Sequence, residues 1–124
     1  MTYPSTDMKH FVFTPKWRKP RFESLIVTHA AEGLIQHICQ LHRVEVLKLA
    51  IQPDHVHLAV LLPLDYYHGM PYFVQQIKWF SSFHLRRLFP ELKRDRYFWG
   101  KHYGVRSIGG GRAAQLKYIA DQIR

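Results

Sequence analysis

Pro53-Asp54-His55-Val56-His57-Leu58-Ala59-Val60-Leu61-Leu62 is a turn that runs straight into a β-strand, and its alternation decides the fold. Side chains at i and i+2 of a strand point to the same face. Val56, Leu58, Val60 and Leu62 therefore form an apolar core stripe, while His55 and His57 project side by side from the opposite face. Two readings of the pair are open. The imidazoles share one metal ion or one phosphate, or they are surface histidines on the solvated side of an antiparallel sheet. If buried, both rings need polar partners.

Working outward, residues 44–51 alternate apolar and polar in their first half and read as a strand. Only Gln52-Pro53-Asp54 separates them from the histidine strand, so the two pair antiparallel. Residues 8–14 (Met-Lys-His-Phe-Val-Phe-Thr) are rich in aromatic and β-branched types and form a first strand that Pro15 ends. Between them, Phe22, Leu25, Ile26, Ala30, Leu34, Ile38 and Leu41 recur at steps of mostly three and four, which predicts an amphipathic helix over 22–41. A second helix is predicted over 72–89, burying Phe73, Val74, Ile77, Phe80, Leu85 and Leu88 and exposing Lys78, Ser81, Ser82, Arg86 and Arg87. Residues 97–99 and 103–108 read as strand pieces around Gly100, and 109–111 as a free glycine linker.

The last predicted helix covers 112–124, with Leu116, Ile119, Ala120 and Ile123 as its stripe. Tyr118 falls about 150° from the centre of that stripe, with Gln122 four residues on along the same face. The helix's own core does not explain such a tyrosine. It is either functional, or exposed, or a dimer contact. The expected fold is a single α+β domain over 1–124. Its central antiparallel sheet, of ferredoxin-like or RRM-like β-α-β-β-α-β order, is flanked by two long helices, and a third helix carries the tyrosine.

Charge narrows the partners. Lys and Arg number 18 against 9 Asp and Glu, a formal net charge of +9, which favours a polyanion. The longest apolar run, residues 58–62, is far too short to span a membrane. The start shows no signal-peptide pattern, and lone Cys39 fits a reducing cytoplasm, the expected location. Lys16, Arg18 and Lys19 form a basic loop around Trp17, which either stacks a base or tucks onto the sheet. Lys16, Arg18, Lys19, Lys78, Arg86, Arg87 and Arg106 are the candidate DNA contacts.

The pieces combine into a chemistry. His55 and His57 offer two nitrogen ligands and Gln122 an amide oxygen, leaving coordination positions open for a phosphate oxygen. Tyr118 supplies a hydroxyl nucleophile for a phosphodiester. A phenol with a pKa near 10 needs assistance at neutral pH. No carboxylate in the chain is an evident base, which leaves the metal, a water or a nearby histidine.

The order of elements and the motifs resemble the single-tyrosine HUH transposases of the IS200/IS605 insertion-sequence family. The matching stretches are His10-Phe11-Val12-Phe13-Thr14-Pro15-Lys16-Trp17-Arg18, Pro53-Asp54-His55-Val56-His57-Leu58, the helix from Ile77-Lys78 to Arg87, Phe98-Trp99-Gly100, and Lys117-Tyr118-Ile119-Ala120-Asp121-Gln122. The resemblance implies that His55, His57 and Gln122 bind a divalent ion, magnesium or manganese, and that Tyr118 attacks single-stranded DNA at element ends. A 5′-phosphotyrosine and a free 3′-OH would result. It also implies subterminal DNA hairpins as substrate and a homodimer whose terminal helices complete the sites in trans across the glycine linker. Departures from the family pattern are the short tail after Gln122 and the light Gly104-Val105-Arg106 stretch. Two other functions compete. One is a domesticated nickase of repetitive (REP) hairpins, and the other is a non-catalytic ferredoxin-like domain that only binds nucleic acid.

Overall fold

The computed structural model describes residues 6–63, 66, 69–109 and 111–123. Its strands are β1 (Thr6–Pro15), β2 (Glu45–Gln52), β3 (His55–Pro63) and β4 (Trp99–Ile108), and its helices α1 (Leu25–Leu41), α2 (Gly69–Leu88) and α3 (Gly111–Gln122). The strands form one antiparallel sheet in the order β2-β3-β1-β4. The β-α-β-β-α-β order with a terminal helix is the one expected from the sequence. No helix among the described residues is long and apolar enough to cross a membrane.

The β3 stripe behaves as its alternation dictates. Val56, Leu58, Val60 and Leu62 are buried, and they join Phe11 and Phe13 of β1 in a core shared with Val27, Ala31, Ile35 and Ile38 of α1 and with Phe73, Val74, Ile77 and Leu85 of α2. Met8 and Ala59 are also fully buried but lie outside that cluster. They share strand parity with His10 and His57, so they belong to the sheet's second face.

Four expectations need correction. In α1, Leu25 and Ile26 are 75% and 71% exposed, and Leu41 is exposed too. The predicted stripe counted from Phe22, but the helix starts at Leu25, with Ser24 as its N-cap. Phe22 packs against Phe98 and Trp99 from outside the helix, so it sets no helical register. In α2, Leu88 is exposed while Ser81 is fully buried in the row of Phe73, Ile77 and Leu85. Ser81 Oγ donates to the Ile77 carbonyl at 2.6 Å and accepts from Trp99 Nε1 at 2.9 Å, which satisfies a hydroxyl inside the core.

Around Gly100 the strand is continuous from Trp99 to Ile108, while Tyr97 and Phe98 of the first predicted piece lie before it. A Cβ at Gly100 would stand 3.1 Å from the Thr14 carbonyl oxygen, so glycine there allows a close approach at the irregular β1–β4 register rather than a break. In α3, Leu116 and Ala120 are exposed, and Gln115, Tyr118 and Ile119 are the half-buried positions. The helix turns the tyrosine side toward the protein, and of the predicted apolar stripe Ile119 is half-buried and Ile123, just past the helix, is buried. The helix begins at Gly111, which has a left-handed φ of +80°; the remainder of the predicted linker includes Gly110, which lies outside the described residues.

Ser81→Ala should strip the buried Trp99 indole of its acceptor and lower stability by about 1–3 kcal/mol in urea unfolding. An unchanged midpoint would mean that the indole finds another acceptor.

Candidate functional site

The site lies on the second face of the sheet, where β3, β1 and β4 run side by side. The β1–β3 register pairs Val12 with His57 and His10 with Ala59, so His10 and His57 are diagonal neighbours on one face. On the other side of β1, His10 pairs with Arg106. The sheet thus places two histidines and an arginine from three strands on one surface.

Hydrogen bonds join these groups to α3. His10 Nε2 lies 2.9 Å from His57 Nδ1, and His10 Nδ1 lies 2.8 Å from Tyr118 Oη. The rings of His10 and Tyr118 meet nearly edge-on at 71°. His55 and His57 rings have centroids 5.0 Å apart. Asp54, at the turn, accepts from His55 Nδ1 at 2.8 Å through Oδ1 and from Arg18 at 3.0 Å through Oδ2. The hydrogen bond from His55, with the Arg18 guanidinium behind it, holds the Asp54 carboxyl below its usual range. Burial, then His57 and Arg106, push His10 below its ordinary value. Burial and His55 do the same to His57. Both rings are therefore neutral at neutral pH.

This arrangement fits a divalent ion by its donor chemistry. His55 and His57 each have Nδ1 engaged, one by a carboxylate and one by an imidazole, which leaves both Nε2 atoms for a ligand. Among the described residues no group of three or more His, Cys, Asp or Glu could hold a metal. Gln122 is the third donor the sequence suggests. It sits one turn beyond Tyr118 and is exposed, with no hydrogen bond to either histidine among the described residues.

The other candidate residues divide between two places. Arg18 and Arg106 flank the histidines. Lys16, Lys78 and Arg86 line a separate groove of about 650 Å³ between α2 and the start of β4, together with Trp79 and Tyr97. There Lys16 lies over the Trp17 and Tyr97 rings at 5.0 and 5.7 Å. Lys78 Nζ donates to the Gly100 and His102 carbonyls at 2.9 and 3.1 Å, and burial lowers its pKa. Arg86 donates to the Asp95 and Arg96 carbonyls. Arg87 lies over Phe83, and Lys19 pairs with Asp95 at 3.0 Å. Trp17 is 78% exposed with φ +62°, so it is not tucked onto the sheet.

His10 is the functional candidate that sequence reasoning missed. Its signal was present: a lone polar residue midway along an aromatic strand, with the parity that faces the histidine side once β1 neighbours β3.

The family described as IS200-like transposase matches residues 5–122 of this chain. The transposase for insertion sequence element IS200 of Salmonella typhimurium is 29% identical over 117 residues, which cover 92% of this chain and 75% of that protein. The ISDra2 transposase TnpA of Deinococcus radiodurans is 28% identical over 120 residues, 91% of this chain and 81% of its own length. A crystal structure described as that of a candidate transposase from Deinococcus radiodurans superposes with a TM-score of 0.78 at 25% identity, covering 98% of this chain and 95% of that one. A REP-associated tyrosine transposase bound to a REP hairpin is alike in fold alone, with a TM-score of 0.66 at 13% identity over 97% of this chain and 70% of that one.

The lowered histidine pKa values set a direction for stability against pH. Below the ordinary value of 6.5 the unfolded chain takes up protons that native His10 and His57 resist, so stability is full above that pH and falls as pH drops beneath it. In EDTA, the unfolding free energy of His10→Gln should decline less steeply below pH 6.5 than that of the wild type. Parallel curves would show that His10 titrates alike in both states.

Proposed function

The chain belongs to the IS200-like transposase family, and from that premise we propose that it cleaves and rejoins single-stranded DNA at the ends of an insertion sequence, with Tyr118 as nucleophile. The observation that supports this most is the 2.8 Å contact of the Tyr118 hydroxyl with a histidine that itself touches His57. The contact ties the hydroxyl to the histidine face rather than to the helix's own surroundings.

The reaction follows from the residue types. Tyr118 Oη attacks the phosphorus and forms a P–O bond. The phenol proton passes to water, the bond to the 3′ oxygen breaks, and that oxygen takes up a proton in its turn. The 5′-phosphotyrosine keeps the phosphodiester's energy, and attack by a 3′-OH reverses the step and releases the tyrosine. His55, His57 and Gln122 would hold a divalent ion, magnesium or manganese. When bound, the ion polarises a phosphoryl oxygen and offsets its growing charge. Asp54 fixes the His55 ring, and Arg106 presents a cation on the face where the phosphate would lie.

The ferredoxin-like sheet serves as the rigid platform for these groups. The substrate we assign is single-stranded DNA with a subterminal hairpin, met by the basic groove of Lys16, Lys78 and Arg86. A second copy of the chain is the protein partner. Leu116 and Ala120, apolar and exposed on α3, are the surface we assign to it.

A denaturing gel with labelled single strands from the flanking genomic sequence tests the reading. A protein–DNA adduct should form with magnesium or manganese and vanish both in EDTA and in Tyr118→Phe. Cleavage without an adduct would replace the tyrosine mechanism with hydrolysis. No product on strands that the protein binds would leave a nucleic-acid-binding domain. An adduct on repetitive hairpins without strand transfer would mark a nickase.

Binding gives a second check. Arg106→Ala should weaken single-strand affinity for all sequences alike and flatten the log K against log salt slope by about 0.7. A sequence-dependent loss would make Arg106 a base reader instead.

A further inference from the structure

We propose that His10 is a positioning residue that links the histidine pair to the nucleophile through a tautomeric relay: His57 can offer Nε2 to a cation only when His10 turns an N–H toward the Tyr118 oxygen. This rests on the metal reading of His55 and His57 given above.

The argument is a count of protons. His10 Nε2 and His57 Nδ1 are 2.9 Å apart, so one proton lies between them. Each neutral imidazole carries one N–H and one lone pair. Suppose the shared proton sits on His10 Nε2. Then His57 keeps its own proton on Nε2, which closes that atom to a cation, and His10 Nδ1 is a lone pair that accepts the Tyr118 O–H. Now suppose it sits on His57 Nδ1. His57 Nε2 becomes a lone pair, and the proton of His10 must be on Nδ1, 2.8 Å from Tyr118 Oη. Each ring holds one proton in both arrangements, and neither changes charge.

The consequence lies at the tyrosine. In the first arrangement the phenol donates its O–H to His10. In the second it receives an N–H from His10, and its own O–H is turned away from the imidazole. A chain committed to binding a cation at His57 is therefore one in which Tyr118 is held by a donated N–H, with its own O–H directed outward, where water can take the proton. Without a cation the first arrangement prevails, because a phenol O–H is a better donor than a neutral imidazole N–H.

His55 serves as the contrast within the same site. Its Nδ1 faces the Asp54 carboxylate, which can only accept, so in the neutral ring Nε2 is the lone pair in both arrangements. One ligand is preset by a carboxylate and the other is switched by an imidazole. The strands make the relay dependable, since the His10–His57 diagonal is fixed by the β1–β3 ladder and only Tyr118 arrives from a helix.

The test uses the full chain with ¹⁵N-labelled histidine, in EDTA and then with zinc, a diamagnetic probe. Two-bond proton–nitrogen spectra assign each tautomer. In EDTA, His10 should be protonated on Nε2. With zinc saturating His55 and His57, His10 should change to the Nδ1–H form. If zinc binds both histidines and His10 keeps Nε2–H, the relay is wrong and the metal reading stands. If zinc leaves His55 and His57 unmoved, the metal reading fails and takes the relay with it. Substitutions divide the two halves. His10→Gln, whose amide reaches the Nε2 position, should keep zinc affinity near the wild-type value by accepting from His57. His10→Asn, whose amide sits at the Nδ1 position, should lose about tenfold. Equal affinities in the two variants would reduce His10 to a structural role.

Discussion

The constraint on which the structure depends is the two-residue period of β3 in a sheet whose long helices cover only one face. Val56, Leu58 and Val60 are fully buried under α1 and α2, so His55 and His57 have no choice but the other side. Among the described residues, the helix that meets that side is the 12-residue α3. An isolated helix of that length is marginal in water. A short helix over buried imidazoles gains little from packing and must satisfy polar groups, because each unpaired one costs about 1–3 kcal/mol. The contacts Tyr118–His10–His57 and Asp54–His55 are the outcome. The active face is thus organised by hydrogen bonds, and the opposite face by apolar burial.

The same division explains what could be read from the chain alone. The parity of β3, its antiparallel pairing with β2 and the order of elements followed from local patterns with a clear period and a three-residue connection. Register in the helices did not. Phe22 looked like the first residue of the α1 stripe, but its ring serves the core from a loop and shifts the count. Ser81 looked solvent-facing because a hydroxyl is polar, yet the Trp99 indole two elements away makes it a core residue. Gly100 looked like a break because its use, the approach of the Thr14 backbone, is a tertiary fact.

In α3 the apolar count held only in part, for a stronger reason. Ile119 and Ile123 do turn inward, but Leu116 and Ala120 do not, because the sheet beneath carries His10 and His57 and takes the face with Tyr118. Amphipathicity predicts orientation only over an apolar partner. The placement of Tyr118 was legible as an anomaly in the helix, whereas His10, its hydrogen-bond partner, was not singled out at all. A single histidine in a strand carries no period. Its meaning comes from the ladder that sets it diagonal to His57.

Arg18 shows how the basic loop bears on this face. Trp17 and Arg18 both have left-handed backbones, at φ +62° and +50°. Non-glycine residues there cost about 1–3 kcal/mol each, so something must hold the loop. The Arg18–Asp54 pair does not suffice, because exposed ion pairs in water contribute little. The firmer ties are the Lys16 N–H to the Phe98 carbonyl at 2.9 Å and the converging pairs of Lys19 and Arg21 on Asp95. With the backbone fixed by those, Arg18 can exchange Asp54 for a phosphate without releasing the loop. Asp54 keeps its bond to His55 through the other oxygen, so the exchange leaves the His55 ring in place. The loop's unusual backbone therefore places a detachable cation beside the histidines, and the strand end, not the loop, carries the burden of their geometry.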